Sequence, residues 1–265
     1  MTVTAYRSYT PAGRYGMRQL LRSETVKMAT LRSTLWTLLI TTAGMALVTI
    51  ISANSALHRS ADWYRGFDPT NQSLAGLLIG ILTMGVFGAM AVTGEYASGT
   101  IRTSLSATPR RLPILVSKAT VAGAGMLIVA EALSFACFAL GQAILSGGGA
   151  PSAHLGQPGV ARAVIMSGAF LALFGMLGMG LGTVIRNTAG AISAYVGVTF
   201  LLPLLLHPLS GDPVRYAPVQ ILANSVSVTI MNHSQVSPTV GLLLMFVYSA
   251  VVLFAGAVVF SSRDA

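Results

Sequence analysis

Six long apolar runs alternate with short polar segments along the chain. The runs cover residues 33–53, 74–93, 119–145, 163–185, 189–209 and 239–262. Each is long enough, as a helix, to cross a hydrocarbon layer of about 30 Å. The runs are continuously apolar, and lipid offers no partners for bare backbone groups, so helices are required and a barrel is excluded. The pattern predicts an all-α integral membrane protein with six transmembrane helices.

A different helical pattern precedes the first run. Apolar residues recur at three- and four-residue spacing on one side, and arginines form a separate row: Met17, Leu20, Leu21, Met28 and Leu31 against Arg14, Arg18 and Arg22. This spacing predicts an amphipathic helix on the membrane surface, which also includes Lys27 and Arg32. A cytoplasmic extension of the first transmembrane helix is the alternative. Glu24 suits either a local ion pair with Lys27 or a contact with a cytoplasmic loop.

Composition and charge place the chain in a membrane and give it an orientation. Only 9% of the 265 residues are charged, against about 25% in soluble proteins. Twelve of the 16 lysines and arginines fall in the termini and the loops on their side, and four fall on the other side. The positive-inside rule therefore predicts cytoplasmic termini. The net charge of +9 then reflects topology, and we expect no nucleic-acid partner.

The loops are too short to form separate domains, so we expect a single transmembrane domain. It comprises a cytoplasmic segment over residues 1–32, a six-helix bundle over 33–262 and a cytoplasmic tail over 263–265. The apolar stretch 219–231 follows several prolines. It suits a short helix that re-enters the membrane, or a plain surface loop.

The polar segment 94–118 between the second and third runs is the strongest candidate contact site. It reads Gly94-Glu95-Tyr96-Ala97-Ser98-Gly99-Thr100-Ile101-Arg102, followed by Pro109-Arg110-Arg111 and Lys118. The glycines at 94 and 99 permit sharp turns, and the tyrosine suits an amphipathic anchor at an interface. A solvated loop would explain the charges but not the placement of the glycines and the tyrosine.

The sequence contains no phosphate-binding loop and no zinc-protease motif. The only lysines, Lys27 and Lys118, do not follow a glycine-rich phosphate-binding loop, so the chain should not hydrolyse nucleotides itself. No His-Glu-x-x-His motif occurs, and the four histidines are far apart in or near outward loops. We therefore expect no catalytic residues, no metal site and no bound cofactor.

Glu131 is the only acidic residue inside an apolar run. It follows Lys118 by 13 residues, which places it about 20 Å along a helix and close to mid-membrane. A charge there is costly, so the side chain should face protein or water. It could contact substrate, carry a proton or mark a hinge; a single buried hydrogen bond, for example through Ser134, is the simpler alternative.

These features together resemble the type-2 ABC exporter permeases, especially the compact subunits common in high-GC bacteria. Two stretches carry the resemblance: Leu21-Arg22-Ser23-Glu24 with Lys27 and Leu31-Arg32-Ser33-Thr34, and Glu95 to Arg102 with Pro109-Arg110-Arg111 and Lys118. The resemblance implies that a coupling helix between helices 2 and 3 contacts a separate ATP-binding subunit, which would hold ATP and Mg²⁺. The contact residues would be Glu95, Tyr96, Gly99, Thr100, Ile101 and Arg102.

The resemblance also implies the assembly and the activity. Two permease protomers, alike or different, would pair in the bacterial plasma membrane and export a drug, lipid or antimicrobial peptide by alternating access. A membrane-embedded enzyme and a membrane anchor for a signalling complex are the alternatives.

Overall fold

The structure, a computed structural model, describes residues 16–30, 32–100, 111–206, 212–228 and 236–262. Within these ranges the regular elements are all helical. Six helices are long and apolar enough to cross a membrane: Ser33–Leu57, Leu77–Ala97, Leu112–Gly147, Val160–Ile185, Thr188–Leu205 and Pro238–Ser262. The predicted all-α fold with six transmembrane helices is confirmed.

Ten α-helices are numbered here in chain order over the described ranges. They are α1 Met17–Thr30, α2 Arg32–Leu57, α3 Pro69–Ser73, α4 Leu77–Ala97, α5 Arg111–Gly147, α6 Val160–Ile185, α7 Thr188–Val196, α8 Leu202–Leu206, α9 Pro218–Val226 and α10 Pro238–Ser262. A π-helical turn, Gly197–Leu201, joins α7 to α8, so these elements form one irregular fifth span.

Several transmembrane helices begin at residues other than those predicted from the apolar runs. The third transmembrane helix begins at Arg111 rather than at residue 119, so Lys118 lies inside a helix. An apolar run marks only the part of a helix that contacts lipid, and the helix itself can continue through polar residues at either end of the run. The second begins at Leu77 rather than at residue 74 and follows a separate short helix, α3. Asp68 caps α3 by accepting hydrogen bonds from the Thr70 and Asn71 amides.

Helix α6 is the centre of the bundle. It packs against α4, α5 and α10. Two-thirds (67%) of its most apolar 18-residue window is buried, against 17% for the first, fifth and sixth transmembrane helices. Its Phe170 and Phe174 are fully buried. The first, fifth and sixth helices therefore expose apolar faces, whereas α6 holds the others together.

Glycines bring α4 and α6 into backbone contact. A Cβ atom added at Gly88 would lie 1.8 Å from the Gly175 carbonyl oxygen, and one added at Gly178 would lie 2.1 Å from the Gly85 oxygen. No side chain fits at these distances, so the helices approach closely only because glycine is present on both sides. These glycines pack within one bundle.

Helix α1 is not a straight extension of α2. Leu21 and Thr25 of α1 line the same cavity as Thr37 and Thr41 of α2. On one straight helix of 3.6 residues per turn, these two pairs would lie on opposite sides. The chain therefore changes direction between α1 and α2, which excludes a straight extension. The position of α1 on a membrane surface stays a prediction.

The segment after the fifth span contains the short amphipathic helix α9. Its Ile221, Leu222 and Val226 are buried, and it packs against α6 and α10. This helix accounts for the apolar part of the predicted 219–231 stretch; residues 229–231 lie outside the described ranges. Its depth in a membrane stays a prediction.

Candidate functional site

The predicted contact residues divide into two groups in the structure. Glu95 and Tyr96 lie in the last turn of α4 and are half-buried, whereas Gly99 and Thr100 follow the helix and are exposed. Ile101 and Arg102 lie outside the described residues. The exposed pair is therefore accessible to another protein, and the half-buried pair is engaged inside the chain.

The two glycines of this segment behave differently. Gly99 has a φ of 72° directly after the end of α4, a left-handed conformation that suits glycine at the end of a helix. Gly94 lies inside α4 and makes no turn, contrary to the sequence interpretation. A glycine can be accommodated in a helix, so its presence alone did not identify the turn.

Four charged side chains from three helices form a compact group, called the charge cluster here: Glu24 and Lys27 of α1, Glu95 of α4 and Lys118 of α5. The Lys118 Nζ atom lies 2.6 Å from Glu24 Oε2 and 2.8 Å from Glu95 Oε1. The Lys27 Nζ atom lies 2.7 Å from Glu24 Oε1 and 3.2 Å from Glu95 Oε1. Each lysine therefore bridges both glutamates.

Burial makes the charge cluster unusual for a group at a helix end. The side chains of Glu24, Lys118 and Glu95 are only 5%, 9% and 14% exposed, and that of Lys27 is 40% exposed. Two acids and two bases give a neutral set, which is how buried charges are tolerated. The cluster thus ties α1 to the adjoining ends of α4 and α5.

The protonation equilibria of the two α1 residues reflect these contacts. Burial raises the pKa of Glu24, but the charges and hydrogen bonds of Lys118 and Lys27 outweigh burial and lower that pKa below 4.5. Burial lowers the pKa of Lys27, but Glu24 and Glu95 outweigh it and raise that pKa above 10.5. Both groups are therefore charged at neutral pH.

The sequence indicated only part of this cluster. The pair Glu24–Lys27 and a contact from Glu24 to the 94–118 segment were weighed as alternatives, and the structure contains both. The pairing of Lys118 with Glu24 spans 94 residues and has no local signal. One hint was available: the only two lysines of the chain are both in the cluster.

A second contact attaches the end of α4 to two more helices. The Arg186 guanidinium carbon lies 5.4 Å from the centre of the Tyr96 ring, a cation–π distance. Arg186 also donates a hydrogen bond of 2.9 Å to the Val259 carbonyl of α10. It ends α6 with a φ of 59°, which is uncommon for a residue other than glycine. In the sequence, Arg186 is one of the twelve basic residues assigned to the side of the termini, and no local pattern predicts its contacts.

The remaining basic residues predicted on the amphipathic helix are accessible. Arg18 and Arg22 are exposed on α1, and no ion pair involves them within the part of the chain that the structure describes. The side chain of Arg32 lies outside the described residues. The basic row of α1 is thus distinct from the charge cluster on the same helix.

Glu131 lies where α5 crosses α6. Its carboxyl faces Gly168, where an added Cβ would lie 2.5 Å from the Glu131 Cδ atom. The simpler alternative, a hydrogen bond through Ser134, is not formed, because the buried Ser134 hydroxyl donates to the Val164 carbonyl of α6 at 2.7 Å. Among the described residues, no hydrogen-bond partner is found for the Glu131 carboxylate.

The opposite end of the bundle has its own polar contacts, around the end of α9. Asp68 Oδ2 accepts a hydrogen bond of 2.8 Å from the Val228 amide. Arg162 of α6 donates to the carbonyls of Ser225 and Ser227 at 3.0 and 3.3 Å. These contacts hold the end of α9 over the bundle. No sequence pattern predicted these contacts, because they join backbone groups to residues far away in the chain.

Over the described ranges, no three side chains of His, Cys, Asp or Glu come together as a metal ion would require. The charge cluster has only two carboxylates, each bound by lysine, so it is a structural contact rather than a ligand set.

Comparison with known families identifies the chain. A family model described as ABC-2 family transporter protein matches residues 16–265. Among the curated proteins, none matches this chain. The family match includes α1 and every transmembrane helix, and therefore all four residues of the charge cluster. The chain belongs to the ABC-2 transporter family and is a multi-pass membrane component of an ABC transporter, not itself the ATPase.

Proposed function

We propose that the chain is the permease subunit of an ATP-driven exporter in the bacterial plasma membrane, with both termini in the cytoplasm. A separate ATP-binding subunit supplies ATP hydrolysis with its own ATP and Mg²⁺. The permease works as a pair of protomers and exports a hydrophobic or amphipathic substrate, such as a drug, a lipid or an antimicrobial peptide.

The orientation is supported by where the basic residues lie. Lys27, Lys118 and Arg186 share one end of the bundle with the 94–118 segment, through their contacts with Glu95 and Tyr96. Twelve of the 16 lysines and arginines of the chain belong to that side. Positive charge accumulates on the cytoplasmic side of membrane proteins, so this end is assigned to the cytoplasm.

The observation that carries the proposal is the structure around the end of α4. Ser98, Gly99 and Thr100 are exposed there, while Glu95 is bound to α1 and α5, and Tyr96 contacts Arg186 at the end of α6. Arg186 in turn binds α10. An ATP-binding subunit that moves the exposed segment would therefore move the ends of several helices together. In this proposal Gly99 and Thr100 contact the partner, and Glu95 and Tyr96 transmit the movement.

The way the helices are joined supports a mechanism of alternating access. Helix α4 is packed closely on the central helix α6, and α6 is packed on α5 and α10. Movement of the α4 end is thus passed to the bundle as rotation of packed helices rather than as local bending. Two such bundles, moving together, would open a path between them first to one side and then to the other.

Cross-linking tests the contact with the motor subunit. Thr100→Cys is compared with Ser152→Cys, an exposed residue after α5 at the opposite end, in the tagged full chain purified from its own membranes. The one native cysteine, Cys137, is buried and should not react. We expect Thr100→Cys, but not Ser152→Cys, to cross-link to a chain with ATPase activity.

Two outcomes would contradict the proposal. One is purification of the chain without any ATP-binding protein; the other is equal cross-linking from both cysteine variants. Glu95→Gln adds a test of transmission, because it removes one negative charge from the cluster while leaving the exposed segment intact. This variant should retain the ATP-binding subunit and its ATPase activity while losing most transport; unchanged transport would contradict transmission through Glu95.

A further inference from the structure

A cavity of about 550 Å³ lies between α1, α2, α4 and α5. Helix α1 lines it with Leu21, Thr25 and Met28, and α5 lines it with Ala124 and Gly125. Its volume is within the range of about 300–1,000 Å³ that is usual for small-molecule sites. It is called the α1 pocket here. It adjoins the charge cluster, because both use α1 and α5.

The walls of the α1 pocket offer hydrocarbon contacts although several threonines line it. The Thr25 hydroxyl donates to the Leu21 carbonyl at 2.9 Å, and the Thr120 hydroxyl donates to the Val116 carbonyl at 2.8 Å. Thr37 and Thr41 of α2 make the same bond to the carbonyl four residues earlier. These hydroxyls are therefore satisfied within their own helices, which favours an apolar chain as the occupant.

Two arginines extend the pocket-lining face of α1 toward the N-terminal end of the helix. At 3.6 residues per turn, Arg18 lies on the same stripe as Leu21, Thr25 and Ala29, toward the N-terminal end of the helix, and Arg22 borders that stripe. Both arginines are exposed. A guanidinium group binds phosphate through two parallel hydrogen bonds. The surface thus combines a hydrocarbon pocket with two adjacent phosphate-binding groups.

We propose that the α1 pocket binds an anionic phospholipid, with one acyl chain inside the pocket and the phosphate held by Arg18 and Arg22. The lipid fills the space between α1 and α2 and so supports α1 where Glu24 meets Lys118. The proposed lipid site does not depend on export or on an ATP-binding partner.

Native mass spectrometry of the purified full chain tests this site. The protein is mixed with equal amounts of phosphatidylglycerol and phosphatidylcholine that have identical acyl chains. We expect the wild type to retain one phosphatidylglycerol with a preference of about tenfold. Arg18→Gln with Arg22→Gln should abolish this preference. Arg59→Gln with Arg65→Gln, two exposed arginines at the opposite end, should preserve it.

A second variant tests the pocket itself. Gly125 lines it, and a Cβ added there would meet only the Met28 Cε atom, at 3.9 Å, so Gly125→Leu can introduce a side chain at the pocket wall without a clash at its Cβ. It should reduce retention of the lipid by about tenfold. Gly197→Leu is the control, because an added Cβ there has no neighbour within 4 Å. Circular dichroism checks that each variant is folded.

Three outcomes would overturn the proposal. Equal retention of the two lipids by the wild type would contradict the phosphate contacts. The same preference in the Arg18/Arg22 and Arg59/Arg65 variants would contradict the assignment of the arginines. Retention of phosphatidylglycerol by Gly125→Leu at the wild-type level would exclude the α1 pocket as the site.

Discussion

At the scale of single residues, the charge cluster brings together four of the few charged side chains of the protein. Both lysines and two of its three glutamates are in it. Removing an ion from water costs several kcal/mol, and each buried charge here is compensated by two opposite charges at 2.6–3.2 Å. Loss of one member should therefore cost stability according to how buried that member is.

The two lysines provide a matched comparison. Lys118→Met should destabilise the protein by about 3 kcal/mol, because it leaves two buried carboxylates with one lysine. Lys27→Met should cost about 1 kcal/mol or less, since the Lys27 side chain is 40% exposed against 9% for Lys118. Unfolding temperature in detergent measures both; equal losses, or a smaller loss for Lys118→Met, would contradict the burial argument.

Acid should weaken the charge cluster. The pKa of Glu24 is below its usual value of 4.5, so its contribution is present above pH 4.5 and is lost as the pH falls through the lowered pKa. The pKa of Lys27 is above 10.5, so its contribution is present below pH 10.5 and is lost as the pH rises through the raised pKa. Stability should therefore be greatest between these limits.

The loss of stability at acid pH can be assigned to Glu24 by substitution. Unfolding temperatures of the wild type and Glu24→Gln are compared between about pH 3 and pH 7. The variant should be less stable at neutral pH and should depend less on pH in the acid range, because its amide does not titrate. Parallel curves for the two proteins would show that Glu24 is not responsible.

At the scale of helices, the contact between α4 and α6 depends on glycines. Gly88 and Gly94 are on the same helix, but a Cβ at Gly88 would lie 1.8 Å from the Gly175 oxygen, whereas at Gly94 it would have no neighbour within 4 Å. A side chain at Gly88 would force the backbones of α4 and α6 apart, which is costly in a closely packed contact.

Substitution by alanine separates packing from helix propensity. Gly88→Ala should destabilise the protein by about 3 kcal/mol. Gly94→Ala should be neutral, or stabilise α4 by up to about 1 kcal/mol, since alanine forms helix better than glycine. Unfolding temperatures of both variants are measured in the same detergent. Similar effects at the two positions would mean that the α4–α6 contact is less close than described.

At the scale of the whole molecule, the two ends of the bundle are held by different kinds of contact. One end has the charge cluster and the Tyr96–Arg186 contact, which join several helices. The other has Asp68 and Arg162, which hold the end of α9 through its backbone. An arginine lies at each end of α6, so this helix connects the last turn of α4 with the cover formed by α9.

Within the candidate site, local patterns and long-range contacts were predictable to different degrees. The Glu24–Lys27 pair lies three residues apart on one helix and is visible from spacing. The contacts of Arg186 and Asp68 depend on how distant helices pack. A hydrogen bond between Ser134 and Glu131 is absent for the same reason, because the Ser134 hydroxyl donates to a carbonyl of the neighbouring helix α6.

The sequence by itself determined the six transmembrane helices and the unequal charge of the two sides, because lipid requires apolar helices and both features are read from local composition. Only the tertiary structure decided that Glu95 joins Lys118 and Lys27 in a buried cluster, and that α1 encloses a pocket against α2 and α5. Packing brings together groups that are far apart in the chain, and no periodicity or motif encodes that proximity.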